Sequence, residues 1–326
     1  MSPSGGSARL VERATLLAYR TGWRLVRLLP EAVAYRLFDV IADVAWWRQG
    51  HGVMQLQRNL ARARPELDAG GLRHLSRDGM RSYLRYWCDT FRLADWDPDR
   101  ITASVRVEGD APVRQALAEG RAVVMFLGHL GNWDHAGAWS TLNLAPVTTV
   151  AERLRPEELY EQFLGFRRRL GMTILPLTGG TDVFRALTRT LRDGGFVPLL
   201  ADRDLTNGGV EVELLGEPAR VAVGPAALAL STGAALFPVS IRYERRAGPG
   251  PGWGIVVRWH EEVPVPAASG SAERQQAVRD LTQRCVDALS AAIRQWPQDW
   301  HMLHRVFVAD LEPRVPSRCV VRGDGS

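Results

Sequence analysis

The spacing of apolar residues divides the chain into two regimes. As far as Trp96 they recur at helical intervals. Over residues 9–29, Val11, Leu17, Ala18, Leu25, Leu28 and Leu29 lie opposite a stripe of Arg9, Arg13, Arg20, Arg24 and Arg27, with Trp23 near the boundary. Pro30 ends that run. A second helix is predicted over residues 31–48, with Arg36, Asp39 and Asp43 on one face and Trp46 and Trp47 at its end. Residues 58–96 read as one Arg-rich helical region whose Met80, Tyr83, Leu84, Trp87 and Phe91 face the core. Beyond that point short apolar runs alternate with amphipathic stretches. Strands are predicted at 105–107, 123–126, 146–151, 172–177, 196–200, 210–214, 236–242 and 255–259, and helices at 157–170, 181–191, 223–231 and 275–295. This rhythm predicts an α/β fold: a single domain over residues 8–311 with a central mostly parallel sheet flanked by helices, followed by a disordered tail at 312–326.

Charge changes how the first helices are read. All 41 basic residues are Arg and the net charge is +5, a balance that favours anionic partners such as phospholipid head groups or phosphates. The Arg stripe carries no acidic residue, and an apolar face backs it. Residues 8–48 are therefore expected to be amphipathic membrane-associated helices lying on an anionic membrane surface. The same arrangement argues against nucleic acid as a partner, since no exposed aromatics interleave the basic stripe and no recognition motif is present. No uncharged run approaches the ~20 residues that span a bilayer, and no signal-peptide pattern opens the chain. Cys88, Cys285 and Cys319 lack metal-type spacing and fit a reducing compartment, so neither a disulfide framework nor a metal site is expected.

Candidate chemistry gathers in residues 122–140, AVVMFLGHLGNWDHAGAWS. The run Val123 to Phe126, the glycines Gly128 and Gly131, and the polar residues after them read as strand, tight turn and helix, which sets side chains at the carboxyl end of a strand. His129 and Asp134 would stand about 140° apart on one continuous helix, so His129 is placed in the turn and Asp134 in the first helical turn. There a carboxylate can accept the inner imidazole N–H and leave the other nitrogen free as a base. A metal ligand and a purely structural histidine are the alternatives at this point. No G-x-S-x-G elbow, phosphate-binding loop or dinucleotide-binding glycine motif occurs, and a histidine base without a protein nucleophile points to attack by a substrate hydroxyl. Trp300, His301 and His304 read as packing and surface residues.

The segment His129-Leu-Gly-Asn-Trp-Asp134 resembles the H-x4-D motif of the glycerolipid acyltransferase superfamily, in the H-x-G-N-W-[DE] form of the bacterial lipid A acyltransferases. Glu152-Arg153, Phe166-Arg167-Arg168, Asp202-Arg203-Asp204, Phe237-Pro238-Val239 and residues 297–304 lie where that group has supporting blocks, and the likeness runs from Ala14 to Leu311. Within the group, RNLARARPEL, MRSYLRYWCDTFRL and ADRDLTNGGVEVELLGEPAR look most like actinomycete phosphatidylinositol mannoside acyltransferases. The resemblance implies a peripheral enzyme on the cytoplasmic face of the cell membrane that moves a fatty acyl group from acyl-CoA, its co-substrate, to a mannose hydroxyl of phosphatidylinositol mannosides, with no further cofactor. It also implies His129 as the base, Asp134 as its orienting partner, Glu152 and Arg167 on the substrate side of the cleft, and Asp202, Arg203 and Asp204 facing the acceptor sugar. The F-x-E-G-[ST]-R block of glycerol-phosphate-acylating relatives is absent, which argues against that acceptor.

Overall fold

Five successive apolar residues leave a strand no polar face, and β2 (Val123–Leu127) is buried at every position. The computed structural model describes residues 22–152, 157–177, 182–205, 208–246 and 252–311. In it β2 sits inside a five-stranded sheet formed with β1 (Val105–Glu108), β5 (Phe196–Leu200), β8 (Ala235–Arg245) and β9 (Trp253–Trp259), in the order β1, β9, β8, β2, β5. Every neighbouring pair is parallel except β8 with β9. The mostly parallel sheet expected from the sequence is therefore present.

Side chains alternate across β2, so the strand feeds two cores. Val124 and Phe126 pack with Leu187 and Leu191 of α9 (Val183–Arg192), Leu228 of α10 (Gly224–Thr232) and Leu289 of α11 (Ser271–Gln295). Val123, Met125 and Leu127 pack on the other face with Val113 of α6 (Ala111–Ala118), Ala136 of α7 (Trp133–Asn143) and Tyr160 of α8 (Glu157–Arg169). Beside β5 lies a small parallel pair, β3 (Thr148–Ala151) with β4 (Thr173–Pro176). The antiparallel hairpin β6 (Val210–Leu214) with β7 (Glu217–Val221) turns through Leu215 and Gly216, both at positive φ, a two-residue connection suited to strand twist. The sequence reading had no β7, no α6 and no α5 (Pro98–Ala103), each a short element with little periodicity to detect.

The N-terminal layer differs from expectation in two respects. The single region at 58–96 is two helices, α3 (His51–Ala63) and α4 (Ala69–Leu93), because Pro65 interrupts the backbone and the Asp68 carboxylate caps a new start by accepting the Gly71 N–H at 2.7 Å. Trp23, within the helical residues 22–28 (α1), is buried against Phe91, Phe163 and Phe166 with ring centroids 5.0–5.8 Å away. Arg27 has an acidic partner after all, Asp95, which follows α4 and could not be found by spacing along one helix. Beside the exposed Arg24, Arg27 and Arg36, α1 and α2 (Glu31–Trp47) leave a set of apolar side chains outside: Leu25, Leu28, Leu37, Val40, Val44 and Trp47. Arg9, Arg13, Arg20, Cys319 and the tail at 312–326 lie outside the described residues. Among the described residues no helix is long and apolar enough to cross a membrane.

Candidate active site

The parallel register of β2 and β5 determines what meets beyond their ends. Leu127 pairs with Leu200, so the residues two places further along each strand, His129 and Asp202, stand side by side. The His129 Nδ1 lies 2.5 Å from Asp202 Oδ1, and the His129 backbone N–H donates to Asp202 Oδ2 at 2.8 Å. An ionised carboxylate only accepts, so Nδ1 carries the proton and Nε2 is left as the basic nitrogen. Asp202 is buried, which would raise its pKa, but the His129 ring and amide and the Trp300 indole N–H together hold it below the ordinary carboxylate value.

Asp134 is not the orienting partner of His129, contrary to the sequence expectation. It lies in the first turn of α7, which carries it away from the imidazole toward α4 and α8. Its Oδ1 accepts from Arg167 Nε at 2.6 Å and its Oδ2 from the Tyr86 hydroxyl at 2.8 Å. Arg167, in a run of three arginines, is the one turned inward. Burial alone would lower its pKa, but Asp134 and Tyr86 hold it above the usual guanidinium value. The ring of Tyr86 stacks on Trp133 at 4.2 Å, and Trp133 in turn meets the His129 ring edge-on at 5.4 Å. The Asp134–Arg167–Tyr86 cluster thus supports the wall that limits the imidazole's movement.

The turn itself requires glycine. Gly131 has φ +57°, and a Cβ there would lie 2.9 Å from the Ile241 backbone. The segment after α11 closes the turn from behind. Asp299 O accepts from the Gly131 N–H at 2.9 Å, the His301 N–H donates to His129 O at 2.8 Å, and the Trp300 indole N–H donates to Asp202 Oδ2 at 3.0 Å. The N-terminal layer holds that segment in place. Ser82 of α4 donates to Asp299 at 2.5 Å, and Asn59 of α3 donates to the carbonyls of Met302 and His304 at 2.7 and 3.0 Å. Burial pushes His301 down to about 3, with Arg85 and His129 adding to the effect. His304 is lowered by burial and then by Arg203 and His129.

In front of His129 opens a cleft of about 500 Å³. Its charged and imidazole groups are His129, Asp134, Glu152, Arg167, Arg203 and His304, with the hydroxyls of Ser140 and Thr149 beside them, while Met125, Leu127, Val150, Leu187, Leu199 and Leu228 are among the residues that make the rest apolar. Glu152 and Arg203 are joined at 3.2 Å. Asp204 accepts the Gly209 N–H at 3.0 Å, and Asp202 is the acidic residue of that segment that reaches His129. Five sequence-predicted site residues therefore line one cleft and Asp202 supports it from below. Tyr86 and Trp300 were missed, because their contacts join elements 48 and 98 residues away in the chain.

This arrangement presents the His129 Nε2 to a polar mouth continuous with an apolar chamber, which suits deprotonation of a hydroxyl beside a bound hydrocarbon chain. The family model for bacterial lipid A biosynthesis acyltransferases matches residues 6–308. The chain is 42% identical over 307 residues to the phosphatidylinositol mannoside acyltransferase of Mycolicibacterium smegmatis, covering 94% of this chain and 95% of the relative. It is 39% identical over 312 residues to the protein of the same name from Mycobacterium tuberculosis, covering 95% and 93%. With the match spanning both the sheet and the His129 turn, the chain belongs to the bacterial lipid A biosynthesis acyltransferase family.

Proposed function

We propose that the protein transfers a fatty acyl group from acyl-CoA to a mannose hydroxyl of a phosphatidylinositol mannoside, working peripherally on the cytoplasmic face of the cell membrane. The observation that carries this reading is the His129–Asp202 pair at the mouth of a mostly apolar cleft. The names of the mycobacterial relatives support the acceptor. The sugar hydroxyl attacks the thioester carbonyl carbon while its proton passes to His129 Nε2, and Asp202 stabilises the imidazolium. Collapse of the tetrahedral intermediate breaks the C–S bond. The proton on Nε2 goes to the departing thiolate, giving the ester and free CoA. At the start of α7 the His135 N–H is capped by the Asn132 side chain at 2.9 Å, so the amides that helix geometry offers to the oxyanion are those of Trp133 and Asp134. The cleft's apolar part holds the acyl chain, and Glu152, Arg167 and Arg203 bind the acceptor's hydroxyls and phosphate.

The exposed apolar strip on α1 and α2 supports membrane docking, since such a patch buries into the head-group boundary more favourably than it stays in water. Product analysis by mass spectrometry, with palmitoyl-CoA and either a phosphatidylinositol mannoside or a lipid A precursor as acceptor, tests the reading. Acylated mannoside is expected; acylation of the lipid A precursor alone would move the acceptor to that class, and no thioester consumption with either would overturn the donor.

A further inference from the structure

We infer that Trp300 is a positioning residue for this reaction: its indole N–H fixes the Asp202 carboxylate and thereby limits how strongly that carboxylate attracts the His129 imidazole. The inference rests on the reading of His129 as the base. Trp300 is fully buried, and its indole N–H donates to Asp202 Oδ2 at 3.0 Å. The same oxygen accepts the His129 backbone N–H at 2.8 Å, while Oδ1 faces His129 Nδ1 at 2.5 Å. Three donors thus hold both oxygens, and two of them belong to His129 itself. Trp300 is the donor that ties the carboxylate to another part of the molecule. Its backbone is fixed as well, bridged to Leu130 and flanked by the Asp299 and His301 contacts to the turn. The buried indole N–H groups of Trp96, Trp259 and Trp296 have no hydrogen-bond partner among the described residues, so a bonded N–H at Trp300 is not a general consequence of burial. Here the partner is the carboxylate that polarises the candidate base.

Removing that N–H concentrates negative charge on the bond to His129, which favours the imidazolium. The neutral base then forms only at higher pH. The other charged or titratable groups around this region are Asp299, His301 and His304 on the same segment, Arg85 and Tyr86 on α4, Asp134 on α7, Arg167 on α8, Glu152 after β3 and Arg203 after β5, and the Trp300 indole N–H bonds to Asp202 rather than to any of them.

The test is Trp300→Phe in the full-length protein, with its fold checked by near-ultraviolet circular dichroism. The measurements are the pH dependence of turnover and the 15N titration of the His129 ring. The acid limb of the rate profile and the ring titration are both expected to move up by about half a pH unit or more, with KM for both substrates within about twofold of wild type. A folded variant in which neither midpoint moves overturns the inference. If Trp300→Phe does not fold, replacement of Trp300 by 3-benzothienylalanine, which keeps the ring's shape and lacks the N–H, is expected to give the same shifts, and unmoved midpoints there overturn it equally. The ring titration reads the Trp300 effect without turnover, so a shifted titration alongside an active His129→Ala variant would refute the base and leave the contact standing.

Discussion

At the scale of single residues, two buried carboxylates near the site carry different burdens. Asp134 neutralises Arg167, so removing it leaves a largely buried guanidinium without its partner. Asp134→Ala is expected to cost about 3–5 kcal/mol in urea unfolding. An unchanged midpoint would show that the pair is dispensable for the fold. Asp89 is fully buried and accepts from the Tyr35 and Tyr243 hydroxyls at 2.6 and 2.9 Å. Burial raises it to about 6 despite those hydrogen bonds. A carboxyl raised on folding favours the native state below its unfolded value near 4, and that advantage is lost as pH rises through about 6. Relative to wild type, Asp89→Asn is therefore expected to gain stability between pH 4 and pH 7, seen in denaturant midpoints at the two values. A stability difference that stays constant, or that moves in favour of wild type with rising pH, would contradict the assignment. His129 was legible in the sequence from its glycine-flanked turn. Its partner was not, because Asp134 is near in sequence while Asp202 is near only through strand register.

At the scale of elements, the strand–turn–helix unit around β2 was readable because five buried apolar residues and two glycines leave few alternatives. The turn's geometry gives a sharp expectation for Gly131→Ala. Its φ of +57° and the 2.9 Å approach to Ile241 should shift the turn, lowering both thermal stability and turnover. A variant indistinguishable from wild type in melting and rate would count against the tight turn. In the N-terminal layer the 3.6-residue period was correct, but which face was covered depended on α4 and α8, which bury Trp23 and leave Leu28, Val40 and Trp47 outside. Val40→Glu with Trp47→Glu is expected to lower sedimentation with anionic phospholipid vesicles at least tenfold and to leave turnover on detergent-dispersed acceptor unchanged. Equal vesicle binding would remove the docking role of α2.

At the scale of the whole molecule, the fold brings together parts separated along the entire chain. The sheet supplies His129 and Asp202 from adjacent strands, the segment after α11 closes behind them, and the N-terminal helices hold that segment through Ser82 and Asn59. The α/β class followed from the alternation of apolar runs alone, whereas this three-part assembly depends on contacts that no local pattern encodes. Turnover of a phosphatidylinositol mannoside with palmitoyl-CoA by the His129→Ala and Asp202→Asn variants, each shown to be folded, tests the central claim most directly. Loss of about 10²–10⁴-fold is expected for His129→Ala, with a smaller loss for Asp202→Asn. Product formation near the wild-type rate by folded His129→Ala would contradict the account.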